Sequence, residues 1–321
     1  MAVVTSRAIQ PRLAICRQRS LIWMISAILL LLSLVGLVLS WLNPTIRSPL
    51  RPGLDFTGGT QIQLERACGD ICNSLSSLQI NQFLAEISLS SDTNLPLLDG
   101  ARVQLLDSSQ SLALRLPTLT PTQGQVVISA LEKVAGPFIP GSQAIDTIGP
   151  TLGSQLFRSS LISLSVALVS IAIYISIRFD RLFAVLALIA LAHDVLIVCG
   201  VFAWLGLLYA LEVNSLFAVA LLTIAGYSVN DTVVVFDQIR ECRRVDVDLP
   251  LRIQIDNAVS VTLTRTLYTS GTTLLPLLTL ILFGGSTLFW FAVALALGVI
   301  VGSWSSIALA PSLLSLRETA I

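Results

Sequence analysis

Asn230-Asp231 is the dipeptide most able to do chemistry in this chain. It sits inside Thr223–Glu241, TIAGYSVNDTVVVFDQIRE, a stretch apolar enough to lie in a bilayer. An ionisable residue within a membrane span costs about 2.5–3.5 kcal/mol on insertion scales, so it is normally buried in a bundle, paired and functional. Arg265, in SVTLTRTLYTSGTT with Thr266 and Thr269 beside it, is the cation placed to pair with Asp231 from another span. A third polar pair, His193-Asp194, lies in LIALAHDVLIVCG.

The chemistry such residues offer is proton or ion relay. Burial disfavours a charged carboxylate, while a nearby arginine favours it. Moving Asp231 towards or away from Arg265 therefore changes its protonation and links helix motion to ion passage. The alternative is a static buried pair that fixes helix packing. Gly226, Ser228 and Gly271 favour the relay, because small residues permit close and mobile helix contacts. For His193-Asp194 a satisfied interhelical hydrogen bond and a supporting relay role stand equally open. Asn230, Thr266 and Thr269 are supporting polar residues.

Depth is compatible with pairing. Asp231 is nine residues from Arg240, and Arg265 is nine from Asp256. At 1.5 Å per residue both lie about 13 Å from those anchors. Pro276 is expected to kink the span that carries Arg265. No catalytic motif competes for the role. G-x-S-x-G, a Walker loop and H-E-x-x-H are missing, Ser228 has no evident base, and a single histidine excludes a multi-histidine metal site in one copy. The expectation is a non-enzyme without a cofactor.

These residues require membrane helices to hold them. The 321-residue chain is 54% hydrophobic and 12% charged, with zero net charge. Soluble chains are about a quarter charged. Nothing supplies a basic field for nucleic acid. Residues 21–42 form a first apolar run, followed by runs near 158–177, 182–207, 214–236, 257–282 and 287–314. Each is long enough to cross a bilayer. The first is read as an uncleaved span, because no small-residue cleavage site follows it.

With the N-terminus cytoplasmic, residues 1–20, 178–181, 238–256 and 315–321 hold eleven arginines, and the short outer loops near 208–213 and 283–286 hold none. That asymmetry orients the chain with both termini inside. Arg47 and Arg51, just outside the first span, run against it.

Residues 43–157 differ in kind. GTQIQLE (59–65) alternates as a strand does, and Ile80, Phe83, Leu84 and Ile87 fall at helical spacing. Residues 102–106 and 111–116 read as a hairpin. Residues 122–135 read as a helix closed by Gly136-Pro137, and 143–148 as a last strand. The order β-α-β-β-α-β predicts a small ferredoxin-like extracytoplasmic domain. Within it, Cys68 and Cys72 lie in a compartment that permits a disulfide, with two free thiols equally open and a metal site the weakest reading.

Four segments resemble the signature blocks of a known family: GLDFTGGT (53–60), AHDVLIVCG (192–200), TIAGYSVNDTVVVFDQIRE (223–241) and SVTLTRTLYTSGTT (260–273). They look like those of the SecD/SecF protein-export family of the resistance-nodulation-division superfamily, on the SecF side. The resemblance runs in order along nearly the whole chain. Gln238 departs from it, where the family commonly has arginine. It implies six transmembrane helices and one ferredoxin-like domain after the first. It also implies a heteromeric complex with SecD in a bacterial plasma (inner) membrane. The complex would assist preprotein translocation through the SecYEG channel, after the SecA motor, at the expense of the ion-motive force. The family's relay pair matches Asp231 and Arg265, and its glycine motif matches Gly53, Asp55, Phe56, Gly58 and Gly59. Half of a related ion-driven exporter, a passive assembly scaffold and an intramembrane enzyme are the competing readings. An exporter half would normally carry larger domains and a second repeat.

Overall fold

The computed structural model describes residues 14–67, 76–89, 95–96, 98, 101–106 and 110–316. Cys68 and Cys72 lie outside them. The chain divides into two compact units, Met1–Arg51 with Ser160–Ile321, and Pro52–Ser159.

Among the described residues six helical segments are long and apolar enough to cross a membrane. They comprise α1 (Arg19–Leu42), α5 (Pro150–Arg178), α6 (Arg181–Leu208), α7 (Ser215–Val245), α8 (Leu251–Phe283) and a composite last segment. That last segment runs α9 (Gly285–Trp304), a π-helical turn (Ser305–Leu309) and α10 (Ala310–Leu314). Sequence periodicity reads it as a single run. The interruption has a local cause: Pro311 lacks an N–H, and its ring clashes with the carbonyl four residues back in a regular helix. Ala310 N–H instead reaches Ser305 O, the wider π spacing. Pro276, by contrast, lies inside an α8 that runs without a break from Leu251 to Phe283.

Close packing in the helical unit comes from small residues. A Cβ on Gly200 would lie 2.2 Å from Ser33 Cβ, and one on Gly298 would lie 2.3 Å from Ile224 Cγ1. The first contact brings α1 onto α6 at backbone distance, and the second seats the Ile224 side chain of α7 against the α9 backbone. A Cβ on Gly226 or Gly271 would meet nothing within 4 Å. The sequence reading that made these two glycines sites of close contact is therefore corrected: within this chain they face open space. Farther along, Phe236 meets Phe179 and Phe183 edge-on, with centroids 6.2 and 5.0 Å apart, while Phe179 and Phe183 lie near-parallel at 6.4 Å.

The other unit holds α2 (Leu54–Thr57), α3 (Ser77–Leu89), α4 (Pro121–Ala135) and an antiparallel sheet ordered β2-β3-β1-β4. Its strands are β1 (Gly59–Glu65), β2 (Arg102–Leu106), β3 (Ser111–Leu116) and β4 (Ala144–Ile148). Alternation sends Ile62, Leu64, Leu112, Leu114 and Leu116 to one face, where they meet Ile80, Leu84, Val127 and Leu131 of the two helices. Helix α4 opens with a reciprocal cap between Thr120 and Gln123 and closes at Gly136, φ 87°. Helix α5 starts at Pro150, ahead of the apolar run at 158. Its first turns are polar and hide it from a hydropathy reading, although proline is a favoured first helical residue.

Candidate functional site

Helix α7 buries a stripe at three- and four-residue spacing: Phe217, Ala220, Leu221, Ile224, Ala225, Ser228, Asp231, Thr232, Val235, Phe236 and Ile239. The same periodicity that builds the core therefore turns Asp231 inward. The residue is only 4% exposed, and its Oδ2 is buried with no hydrogen-bond partner. Buried polar atoms are nearly always partnered, so an orphan carboxylate oxygen calls for a functional explanation.

Arg265 on α8 acts electrostatically on Asp231. Among the described residues no ion pair within 4.0 Å joins them. Arg265 is exposed in the isolated chain, as are Asn230 on α7 and Thr264 and Thr269 on α8. Thr266 is buried, and its carbonyl accepts from the hydroxyls of Thr269 (3.0 Å) and Ser270 (2.8 Å). A hydroxyl ladder crosses the helices here. Tyr227 donates to Ser270 Oγ at 3.1 Å, and Ser270 and Ser303 hydroxyls lie 2.6 Å apart.

His193-Asp194 forms a second, separate cluster. Asp194 is fully buried on α6. Its Oδ2 accepts from Ser228 Oγ and from Ser305 Oγ, each at 2.6 Å. Its Oδ1 lies 2.9 Å from His193 Nδ1, while His193 Nε2 is buried without a partner. Ser228 thus has an acidic partner that the sequence did not reveal. Ser303, Ser305 and Ser306 were also missed. The small, polar run Gly302-Ser303-Trp304-Ser305-Ser306 inside an apolar span was the signal available for them. Gly302 makes the approach feasible, since a Cβ there would sit 3.3 Å from Ser228 Cβ.

The glycine motif serves backbone geometry. Gly53 precedes α2, and Gly58 (φ 71°) and Gly59 (φ 126°) turn the chain into β1. Asp55 is partly buried, and the Phe56 ring meets Phe157 edge-on at 5.5 Å. A Cβ on Gly59 would lie 2.7 Å from Leu116 O, so a side chain is excluded by both φ and space. Among the described residues no group of three or more His, Cys, Asp or Glu side chains could hold a metal ion.

Comparison with known proteins agrees along the chain. Residues 129–319 match the family described as Protein export membrane protein SecD/SecF, C-terminal, and residues 47–68 match the SecD/SecF GG Motif. Protein translocase subunit SecF of Prochlorococcus marinus is 58% identical over 304 residues, 95% of this chain and 95% of that one. Its counterpart in Synechocystis sp. is 42% identical over 294 residues, 91% and 90% of the two chains. The crystal structure of SecDF, a translocon-associated membrane protein from Thermus thermophilus, superposes with a TM-score of 0.77 at 30% identity. The superposition takes in 97% of this chain and 39% of the SecDF chain. With its six spans, its glycine motif and this similarity, the chain is a multi-pass membrane protein that belongs to the SecD/SecF protein-export family.

Proposed function

We propose that this chain is the SecF-like half of a SecDF-type complex, assisting preprotein translocation through a SecYEG channel, with SecA acting upstream, by drawing on the ion-motive force. Asp231 carries the ion and Arg265 modulates it. One observation carries the reading: Asn230, Arg265, Thr264 and Thr269 are exposed on two adjacent membrane helices beside a buried, unpartnered carboxylate. Arginine facing lipid at mid-span costs about 2.5–3.5 kcal/mol. This face therefore requires a polar neighbour. A SecD subunit is the fitting one, since the SecDF chain that this one resembles has 61% of its length left over for it. The separation of Asp231 from Arg265 favours a working pair over a static strut. Copurification from native membranes in mild detergent is expected to recover SecD with this chain. Recovery of the chain alone, with SecD solubilised separately, would overturn the assignment.

The smaller unit is ferredoxin-like in this reading, supported by its antiparallel order β2-β3-β1-β4 with two helices. It faces away from the cytoplasm of a bacterial inner membrane, and both termini face the cytoplasm. The arginine distribution supports that orientation. In intact cells stripped of their outer envelope, and with the native cysteines replaced by serine, an impermeant maleimide should label Gln110→Cys and miss Arg243→Cys. The reverse pattern would invert the topology.

A further inference from the structure

Asp194 lies on a different helix from the Asp231–Arg265 pair, and its contacts are of a different kind. Its carboxylate is fully buried and accepts hydroxyl hydrogen bonds from α7 (Ser228) and from the π-helical turn (Ser305) at once. Both hydrogen bonds are short, and a buried acceptor stripped of its donors is destabilising. One turn further along the same face of α7 lie Asp231 and Thr232. The Thr232 hydroxyl is 3.3 Å from that of Ser306, the residue after Ser305, and also bonds Ser228 O. Consecutive residues of a regular helix point about 100° apart. Here Ser305 and Ser306 are both fully buried and both reach this seam, which the wider π turn permits. The ionisable groups facing Asp194 are few. His193 adjoins it on α6, and α7 offers one carboxylate between Phe217 and Phe236, Asp231. The segment 285–316 has none, and α1 has none beyond Arg19 at its first residue.

We propose that Asp194 is a positioning residue for Asp231. It bolts α7 to α6 and to the π turn, fixing the register in which the Asp231 carboxylate is presented to Arg265. Helix α7 then acts as the static wall of the site, and any change in the Asp231–Arg265 distance comes from α8 or from the partner subunit. The functional consequence rests on the relay reading of Asp231, whereas the register itself does not.

Two readouts in the intact complex test this. Thr232→Cys with Ser306→Cys, replacing hydroxyls 3.3 Å apart, reports the register by disulfide formation in native vesicles. With copper–phenanthroline added as the oxidant, the pair is expected to oxidise readily with Asp194 intact and about tenfold more slowly with Asp194→Asn, which replaces one acceptor oxygen by an amide NH2 donor. Failure to oxidise with Asp194 intact, or an unchanged rate with Asp194→Asn, overturns the proposal. Ser305→Ala removes one donor and is the milder variant should Asp194→Asn not assemble; it must slow the crosslink in the same direction. The second readout is export rate against the size of an imposed ion gradient. Ser305→Ala is expected to raise the gradient needed for half-maximal rate at unchanged amounts of assembled complex. A merely structural defect would lower the amount and leave that gradient unchanged. If Asp231→Asn exports normally while the crosslink still depends on Asp194, the relay reading fails and the positioning role stands.

Discussion

Asp231→Asn is expected to abolish the gradient-dependent part of preprotein export while leaving the chain folded and assembled. Asparagine keeps the size of the side chain and its capacity for hydrogen bonding but cannot titrate. The structure sharpens the expectation for stability. Oδ2 of Asp231 is buried with no hydrogen-bond partner, and no ion pair within 4.0 Å offsets its charge among the described residues. Leaving a polar group buried and unsatisfied costs about 1–3 kcal/mol, more if it is charged. Replacing the carboxylate with a neutral amide should therefore leave thermal stability in detergent unchanged or raised. Function lost with stability preserved separates an ion-carrying residue from a packing one. A large fall in melting temperature or in SecD recovery would instead mark Asp231 as structural.

The double substitution Asp231→Asn with Arg265→Leu carries the second large expected effect. A buried ion pair that only fixes packing can be replaced by neutral residues at little cost, while removing one partner alone costs about 3–5 kcal/mol. On the strut reading the single variant is defective because Arg265 loses its counter-charge, and the double variant recovers. On the relay reading the double variant stays inactive in gradient-driven export, since no titrating group remains at position 231. Arg265 is exposed in the isolated chain, so leucine there creates no cavity. The double variant is expected to insert and, per amount of assembled complex, to export at the gradient-independent background rate.

Much of this was legible in the sequence, for identifiable reasons. Six apolar runs announce six spans because nothing else buries twenty consecutive apolar residues. Leu112, Leu114 and Leu116 alternate as a strand must and do fill one face of the sheet. Asp231 and Arg265 stood out because charge inside a span is rare. The sequence could not convey that the two are held apart, since spacing along each helix gives depth and not azimuth. It also placed close packing at Gly226 and Gly271, where the chain is open, and passed over Gly200, which meets the Ser33 backbone, and Gly298, which meets the Ile224 side chain. A glycine's use depends on what faces it, and no local pattern records that. The partners of Asp194 were hidden for the same reason: Ser228 and Ser305 lie 34 and 111 residues away, brought together by a π turn that Pro311 induces.

Ion flux tests the central claim most directly. Proteoliposomes holding this chain with SecD and SecYEG, supplied with SecA and ATP and loaded with pH- and Na⁺-sensitive dyes, report dissipation of an imposed gradient in the presence of translocating preprotein. The account predicts that wild-type complex dissipates the gradient of its coupling ion, and that complex carrying Asp231→Asn holds it as well as vesicles with the channel and motor alone do. Equal dissipation by the two complexes would contradict it.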